Sequence, residues 1–193
     1  LRGMDLQRMI ERHGPIPAER AVFLLRQACL SLAEAHALGL VHRDVKPANL
    51  FACRLGPQYD FVKVVDFGVV SRHMRPTKSQ ITTVGTVLGT PAYLAPELVS
   101  GGHTFDGRAD IYALGCVAFF LLTGRTPFEG DDAIALLMQH ANTPPPAPSM
   151  MSEEPIPPEI DAIVLECLAK EPSRRPAGAE ALLDRLSRVP LRA

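Results

Sequence analysis

From Val41 to Phe51 the chain reads V-H-R-D-V-K-P-A-N-L-F, and a D-F-G follows at Asp66–Gly68. A carboxylate at Asp44, an ammonium at Lys46 and an amide at Asn49 share a segment that Pro47 keeps out of a regular helix. Such a segment is a loop that aims polar groups. Asp44 could accept a proton and Lys46 could neutralise a developing anion. Asn49 with Asp66 could supply the oxygen ligands that Mg²⁺ prefers, leaving room for phosphates and water. These are the groups that phosphoryl transfer needs. Taken singly each motif is common, since an Asp-Phe-Gly is usually an ordinary turn and a His-Arg-Asp ordinary surface. Their order and spacing together carry the argument.

The elements around this loop must hold it in place. Asp5–His13 has Leu6, Met9 and Ile10 at helical spacing before a Gly14-Pro15 stop, and predicts a short helix. Ala18–Leu38 puts Val22, Leu25, Cys29, Leu32, Ala33 and His36 on one stripe, with Gly39 where a helix-ending glycine belongs. That long helix would deliver the chain to the catalytic loop, with His36 as a packed or boundary histidine. Leu50–Arg54 and Phe61–Val65 predict a small β-hairpin that holds Asn49 and Asp66 close together. Ser71–Thr90 is rich in Ser and Thr without periodicity and reads as a mobile loop. Arg108–Thr123 is apolar nearly all round, the pattern of a helix buried on every side. Asp131–His140, capped by Asp131 or Asp132, predicts another helix, and Pro158–Lys170 and Ala177–Arg188 predict two more. The proline-rich Thr143–Pro158 between them is a connector rather than a P-x-x-P ligand.

Composition narrows the function class. The chain has 193 residues, 47% hydrophobic and 21% charged, enough for one sizeable core. Net charge is −1 with dispersed basic residues, which argues against a nucleic-acid surface. Cys29, Cys53, Cys116 and Cys167 lie far apart, so neither a zinc knuckle nor a disulfide framework is expected, and a reducing cytoplasmic setting fits. The longest apolar run, Ile111–Leu122, is shorter than a membrane span, and no signal peptide is expected.

The H-R-D-V-K-P-A-N loop, the D-F-G and the closing G-T-P-A-Y-L-A-P-E (Gly89–Glu97) resemble the signatures of the protein kinases. The resemblance covers essentially the whole chain and is strongest to the bacterial eukaryotic-type serine/threonine kinases. It implies a mainly α fold, the C-terminal lobe of a kinase, with a helical bundle around a buried central helix and a small β-hairpin. The glycine-rich loop and strand lysine of the N-terminal β-lobe do not occur in residues 1–193 and are expected upstream of Leu1.

By that resemblance Asp44 is the catalytic base, Lys46 contacts the transferred phosphate, and Asn49 and Asp66 hold Mg²⁺ beside ATP. Phe51 would lie under the adenine ring, and Thr90 would hydrogen-bond Asp44 and Lys46. His42 and Phe67 look like stacked residues of the regulatory spine, next to Gly68 of the D-F-G. Asp110 would anchor the catalytic-loop backbone, and Glu97 would form a buried ion pair with Arg175, leaving Arg174 in solvent. Lys46 and the Gly89-Thr90 pair follow the serine/threonine pattern rather than the Ala-Ala-Arg of tyrosine kinases. Arg43, next to the base, would await an anion, which phosphorylation of Thr82 or Thr83, or less favourably Thr86, could supply. Implied partners are Ser/Thr-bearing proteins, the chain's own N-terminal lobe and a second kinase copy for trans-autophosphorylation. Residues 1–193 alone should be a poor enzyme.

The chain departs from the pattern at Val69-Val70-Ser71 after the D-F-G, and at Tyr112, where many kinases have Trp. Neither removes a ligand or a base. A competing reading is a kinase-like lobe kept as a non-catalytic scaffold.

Overall fold

The computed structural model describes residues 3–67, 90–99, 106–130 and 132–190. Seven helices and a small antiparallel sheet surround one apolar core among these residues. Strand β1 (Gly3–Asp5) leads into α1 (Leu6–His13), where the Asp5 carboxylate accepts from the Arg8 amide and caps the helix. Leu6, Met9 and Ile10 are its buried face. Helix α2 (Ala18–Ala37) buries Val22, Leu25, Cys29 and Leu32. It stops where Gly39, at φ 71°, returns its amide to the His36 carbonyl.

Strands β2 (Leu50–Leu55) and β3 (Gln58–Val64) form the expected hairpin, with Leu50 opposite Val64. The sheet is wider than a hairpin, because β1 pairs antiparallel with the other side of β2, Asp5 facing Phe51. Gly-Met-Asp is too short to show an alternating pattern, and only the partner strand makes it a strand. The outer edge of β3 meets α2. There the Gln27 amide donates to the Asp60 carbonyl and accepts from the Val62 amide (2.8 and 3.1 Å), and Arg20 grips the Asp60 carboxylate with two nitrogens. A side chain thus does what a further strand would do at an open edge.

Helix α4 (Arg108–Thr123) runs through the centre, buried from Ala109 to Thr123. Helix α2 packs on it, as do α6 (Pro158–Cys167) and α7 (Ala179–Ser187). The short α3 (Pro96–Val99) packs against α5 (Ala133–Asn142), which Asp132 caps through the Ala135 amide. Helices α6 and α7 are shorter than their sequence patterns suggest, since turns around Ala169–Gly178 take up the ends. All four cysteines are free and buried. No helix among the described residues is long and apolar enough to cross a membrane.

Candidate active site

The loop between α2 and β2 is built from its backbone outward. Val45, between Asp44 and Lys46, and Leu50, at the start of β2, are buried and pin it to the core. Lys46 is extended, as a residue before proline must be, and Pro47–Asn49 makes one 3₁₀ turn closed by the Asn49 amide on the Lys46 carbonyl. The turn brings three side chains together. The Lys46 ammonium lies 2.7 Å from Oδ2 of Asp44, and the Asn49 amide donates to the Asp44 carbonyl at 2.8 Å and to Oδ2 at 3.1 Å. Both neighbours address the same carboxylate oxygen.

The loop hangs from the central helix. Asp110, 1% exposed, accepts the His42 amide on Oδ2 and the Arg43 amide on Oδ1, each at 2.8 Å. Two successive amides can point at one carboxylate because Arg43 adopts φ 66°, a left-handed conformation costly for a residue with a side chain. A third contact comes from His36, whose Nε2 lies 2.8 Å from Asp110 Oδ2. The His36 ring rests on Gly107, where an added Cβ would stand 2.6 Å from it. His36 is packed, as its place on the helical stripe suggested, and it is also a polar support of the loop. The stripe could not reveal that, because its partner lies 74 residues away.

His42 is fully buried and ties the loop to the D-F-G. Its Nε2 bonds the Val65 carbonyl at 2.9 Å, Nδ1 accepts from the Asp44 amide at 3.3 Å, and its ring lies 4.7 Å from that of Phe67. The Val65 amide in turn bonds the Asn49 carbonyl, so the hairpin returns Asp66 to the loop. Asp66 is exposed and sits at φ 59°. Phe51 is half-buried on β2, paired with Lys63 across the sheet. Glu97 and Arg175 meet as a bidentate pair, and Arg174 stays in solvent beside Glu171.

One expected contact is not made. Among the described residues Thr90 has no hydrogen bond to Asp44 or Lys46: the Lys46 ammonium is on Asp44 itself, and the backbone carbonyl of Thr90 opens the Pro91–Tyr93 turn by accepting from the Tyr93 amide. Gly68, Thr82, Thr83 and Thr86 lie outside the described residues.

No group of three His, Cys, Asp or Glu among the described residues could hold a metal by itself. Asn49 and Asp66 carry oxygen donors of the kind Mg²⁺ takes, and two such residues would leave its remaining positions to phosphate and water. The Asn49 amide nitrogen is spent on Asp44, which leaves its carbonyl oxygen as the atom that could meet a cation.

A polar loop hung from a buried helix, with a D-F-G returned to it by a hairpin, defines the larger lobe of a protein kinase. The chain belongs to the protein kinase domain family, which matches residues 1–186. It is 40% identical over 187 residues to the serine/threonine-protein kinase PknB of Mycolicibacterium smegmatis, covering 97% of this chain and 29% of that protein. It is 42% identical over 175 residues to Pkn1 of Myxococcus xanthus, covering 89% of this chain and 24% of that protein. Among solved structures it resembles Rad53 in complex with AMP-PNP (TM-score 0.73, 26% identity, 96% of this chain and 44% of that one). It also resembles the PknI kinase domain of Mycobacterium tuberculosis (TM-score 0.70, 26% identity, 97% and 62%). The chain thus spans about a third or less of the curated relatives it matches.

Proposed function

We propose that the protein carrying this chain is an ATP- and Mg²⁺-dependent protein kinase acting on Ser and Thr hydroxyls. The observation that carries the reading is Asp44 clamped on one oxygen by Lys46 and Asn49, in a loop suspended from Asp110. Because both clamps address Oδ2, Oδ1 is the oxygen a substrate hydroxyl would meet. Asp44 takes the hydroxyl proton as the substrate oxygen bonds the γ-phosphorus and the bond to the β,γ-bridging oxygen breaks, releasing ADP. Lys46 stands beside the base, where its charge stabilises the oxygens of the phosphoryl group in flight. Asn49 and Asp66 would hold Mg²⁺, and Phe51 would underlie the adenine. Bound Mg²⁺-ATP supplies the phosphoryl group and offsets its charge. The remaining half of the nucleotide site is assigned to residues outside 1–193, so this stretch alone is expected to bind ATP weakly. Regulation by phosphorylation at Thr82 or Thr83 belongs to the same proposal.

The test is transfer of labelled γ-phosphate to Ser- and Thr-containing proteins by the full-length protein. Asp44→Asn should lower turnover roughly 10²–10⁴-fold, the usual share of a general base, with unfolding unchanged. Asp66→Asn should do so through lost Mg²⁺ dependence. Near wild-type transfer by Asp44→Asn would favour a scaffold role instead.

A further inference from the structure

The hairpin that returns Asp66 to the loop is not a regular one. Leu50 to Cys53 pair with Val64 to Phe61 in one register, whereas Leu55 pairs with Gln58 in another, one residue out of step. Between Cys53 and Leu55 strand β2 has only Arg54, while β3 has both Tyr59 and Asp60 between Gln58 and Phe61. Strand β3 therefore carries one extra residue, a β-bulge. The irregularity falls at Asp60, whose backbone takes φ 55°, a left-handed conformation that costs a residue with a side chain.

Helix α2 holds that residue through its side chain and its backbone. Arg20 grips the two carboxylate oxygens at 2.8 and 2.9 Å. Two turns further along the same face, Gln27 donates to the Asp60 carbonyl at 2.8 Å and accepts the Val62 amide at 3.1 Å, so it fixes the strand on both sides of Phe61. The bulge decides the position of everything after it. If the register of Leu55 and Gln58 ran on without the extra residue, Val64 rather than Val65 would meet the Asn49 carbonyl. Asp66 would then be displaced by one residue, about 3.3 Å along the strand. The same slip would turn Val62, now 5% exposed, out of the core and Lys63 towards it.

We propose that Gln27 and Asp60 are positioning residues for the metal pair: Gln27 locks the bulge at Asp60, and the bulge, through the Val65 amide on the Asn49 carbonyl, sets where Asp66 stands relative to Asn49. Arg20 supports the lock by holding the Asp60 side chain. The inference rests on the reading of Asn49 and Asp66 as Mg²⁺ ligands and deepens it, since it makes residues that are not themselves expected ligands determinants of metal affinity.

The experiment measures Mn²⁺ binding to the full-length protein with a non-hydrolysable ATP analogue, from the paramagnetic resonance of the free ion and above what the analogue holds alone. Hydrogen exchange is followed in residues 58–66 and in α4. The variants are Gln27→Leu, Gln27→Glu, Asp60→Gly and Asp60→Val. Gln27→Leu should weaken Mn²⁺ binding about tenfold, the worth of one well-made hydrogen bond, and speed exchange in β3 while α4 stays as in wild type. Gln27→Glu, which still accepts from Val62 but cannot donate to the Asp60 carbonyl, should fall between. Glycine takes the left-handed backbone freely and valine does not, so Asp60→Gly should bind Mn²⁺ about tenfold more tightly than Asp60→Val. Unchanged Mn²⁺ affinity in Gln27→Leu would overturn the proposal, and so would equal affinities for the two Asp60 variants. A weakening accompanied by equally fast exchange in α4 would overturn it too, because the whole lobe would then have loosened. If either Gln27→Leu or Asp60→Val does not fold, the comparison at the other position decides alone. A wild-type protein that binds no Mn²⁺ beside the analogue would instead overturn the Mg²⁺ reading, and the inference with it.

Discussion

Arg175 and Glu97 lie 78 residues apart in sequence and meet through two parallel hydrogen bonds of 2.7 and 2.8 Å. The other three N–H groups of the guanidinium go to the carbonyls of Ala169, Arg108 and Lys170, at 2.7, 3.0 and 3.0 Å. All five donors of the side chain are therefore used, and the side chain has no exposed surface. Arg175 ties α3 to the start of α4 and to the turn after α6.

Arg175→Ala should accordingly cost about 3–5 kcal/mol, the range for breaking a buried ion pair by removing one partner. Arg175→Lys should recover little, because an ammonium cannot reproduce the fork. Glu97→Ala should cost less than Arg175→Ala, since Arg175 keeps its three carbonyl acceptors. Urea unfolding midpoints of the three variants check this ordering; equal losses for both alanine variants would contradict it.

Asp110 supports the loop that carries Asp44 through two backbone amides and His36. Asp110→Ala leaves those amides buried without an acceptor, at roughly 1–3 kcal/mol for each unmet group. It also frees Arg43 from the constraint that holds its left-handed backbone. The expected outcome is lower stability together with a lower kcat, seen by chemical denaturation and by phosphotransfer assay. Asp110→Asn should be intermediate, because its single carbonyl oxygen cannot serve both amides in the same geometry.

Thr82 and Thr83 lie outside the described residues, and their proposed phosphorylation rests on their place between the D-F-G and the A-P-E. A phosphate there would add roughly −1.5 to −2 charge and three acceptor oxygens of the kind that pair with arginine. Mass spectrometry of active full-length protein should find one or both modified, and the Thr82→Ala/Thr83→Ala variant should lose most activity. Full activity with an unmodified loop would refute the switch and leave the kinase assignment standing.

Stability should carry a pH signature from the core beside α5. Burial, helped by the nearby Lys170 ammonium, pushes His140 from its ordinary 6.5 down to about 4. The unfolded chain therefore binds this proton first as pH falls. The stabilisation due to the neutral ring is fully present above about 6.5 and is lost as pH drops toward about 4. Lys170, lowered from 10.5 to about 8 mainly by burial, acts higher up: stability rises with pH between those values, where the unfolded chain holds the extra proton. The unfolding midpoint of wild type should thus fall more steeply than that of His140→Leu between pH 6.5 and 4, and equal slopes would exclude His140 as the source.

Some of this was determined by local sequence. Helix α4 was legible to its end residues, Arg108–Thr123, because a segment apolar all round has only one environment in a chain of this size. Helix α1, the β2–β3 hairpin and the bend at Pro47 followed from periodicity and from what proline forbids. The clustering of Asp44, Lys46 and Asn49 was implicit too, since one short turn joins them. Pairing of Glu97 with Arg175, and of Asp110 with the loop, was expected through resemblance to a family; nothing local in either residue names its partner. Tertiary structure alone decided the rest. Gly3–Asp5 becomes a strand only against β2, Lys46 is held by Asp44 rather than by Thr90, and Tyr112 finds His140 across 28 residues. Periodicity and turn chemistry act over a few residues, whereas a buried polar group is satisfied by whichever partner the packing of distant helices brings within about 3 Å of it.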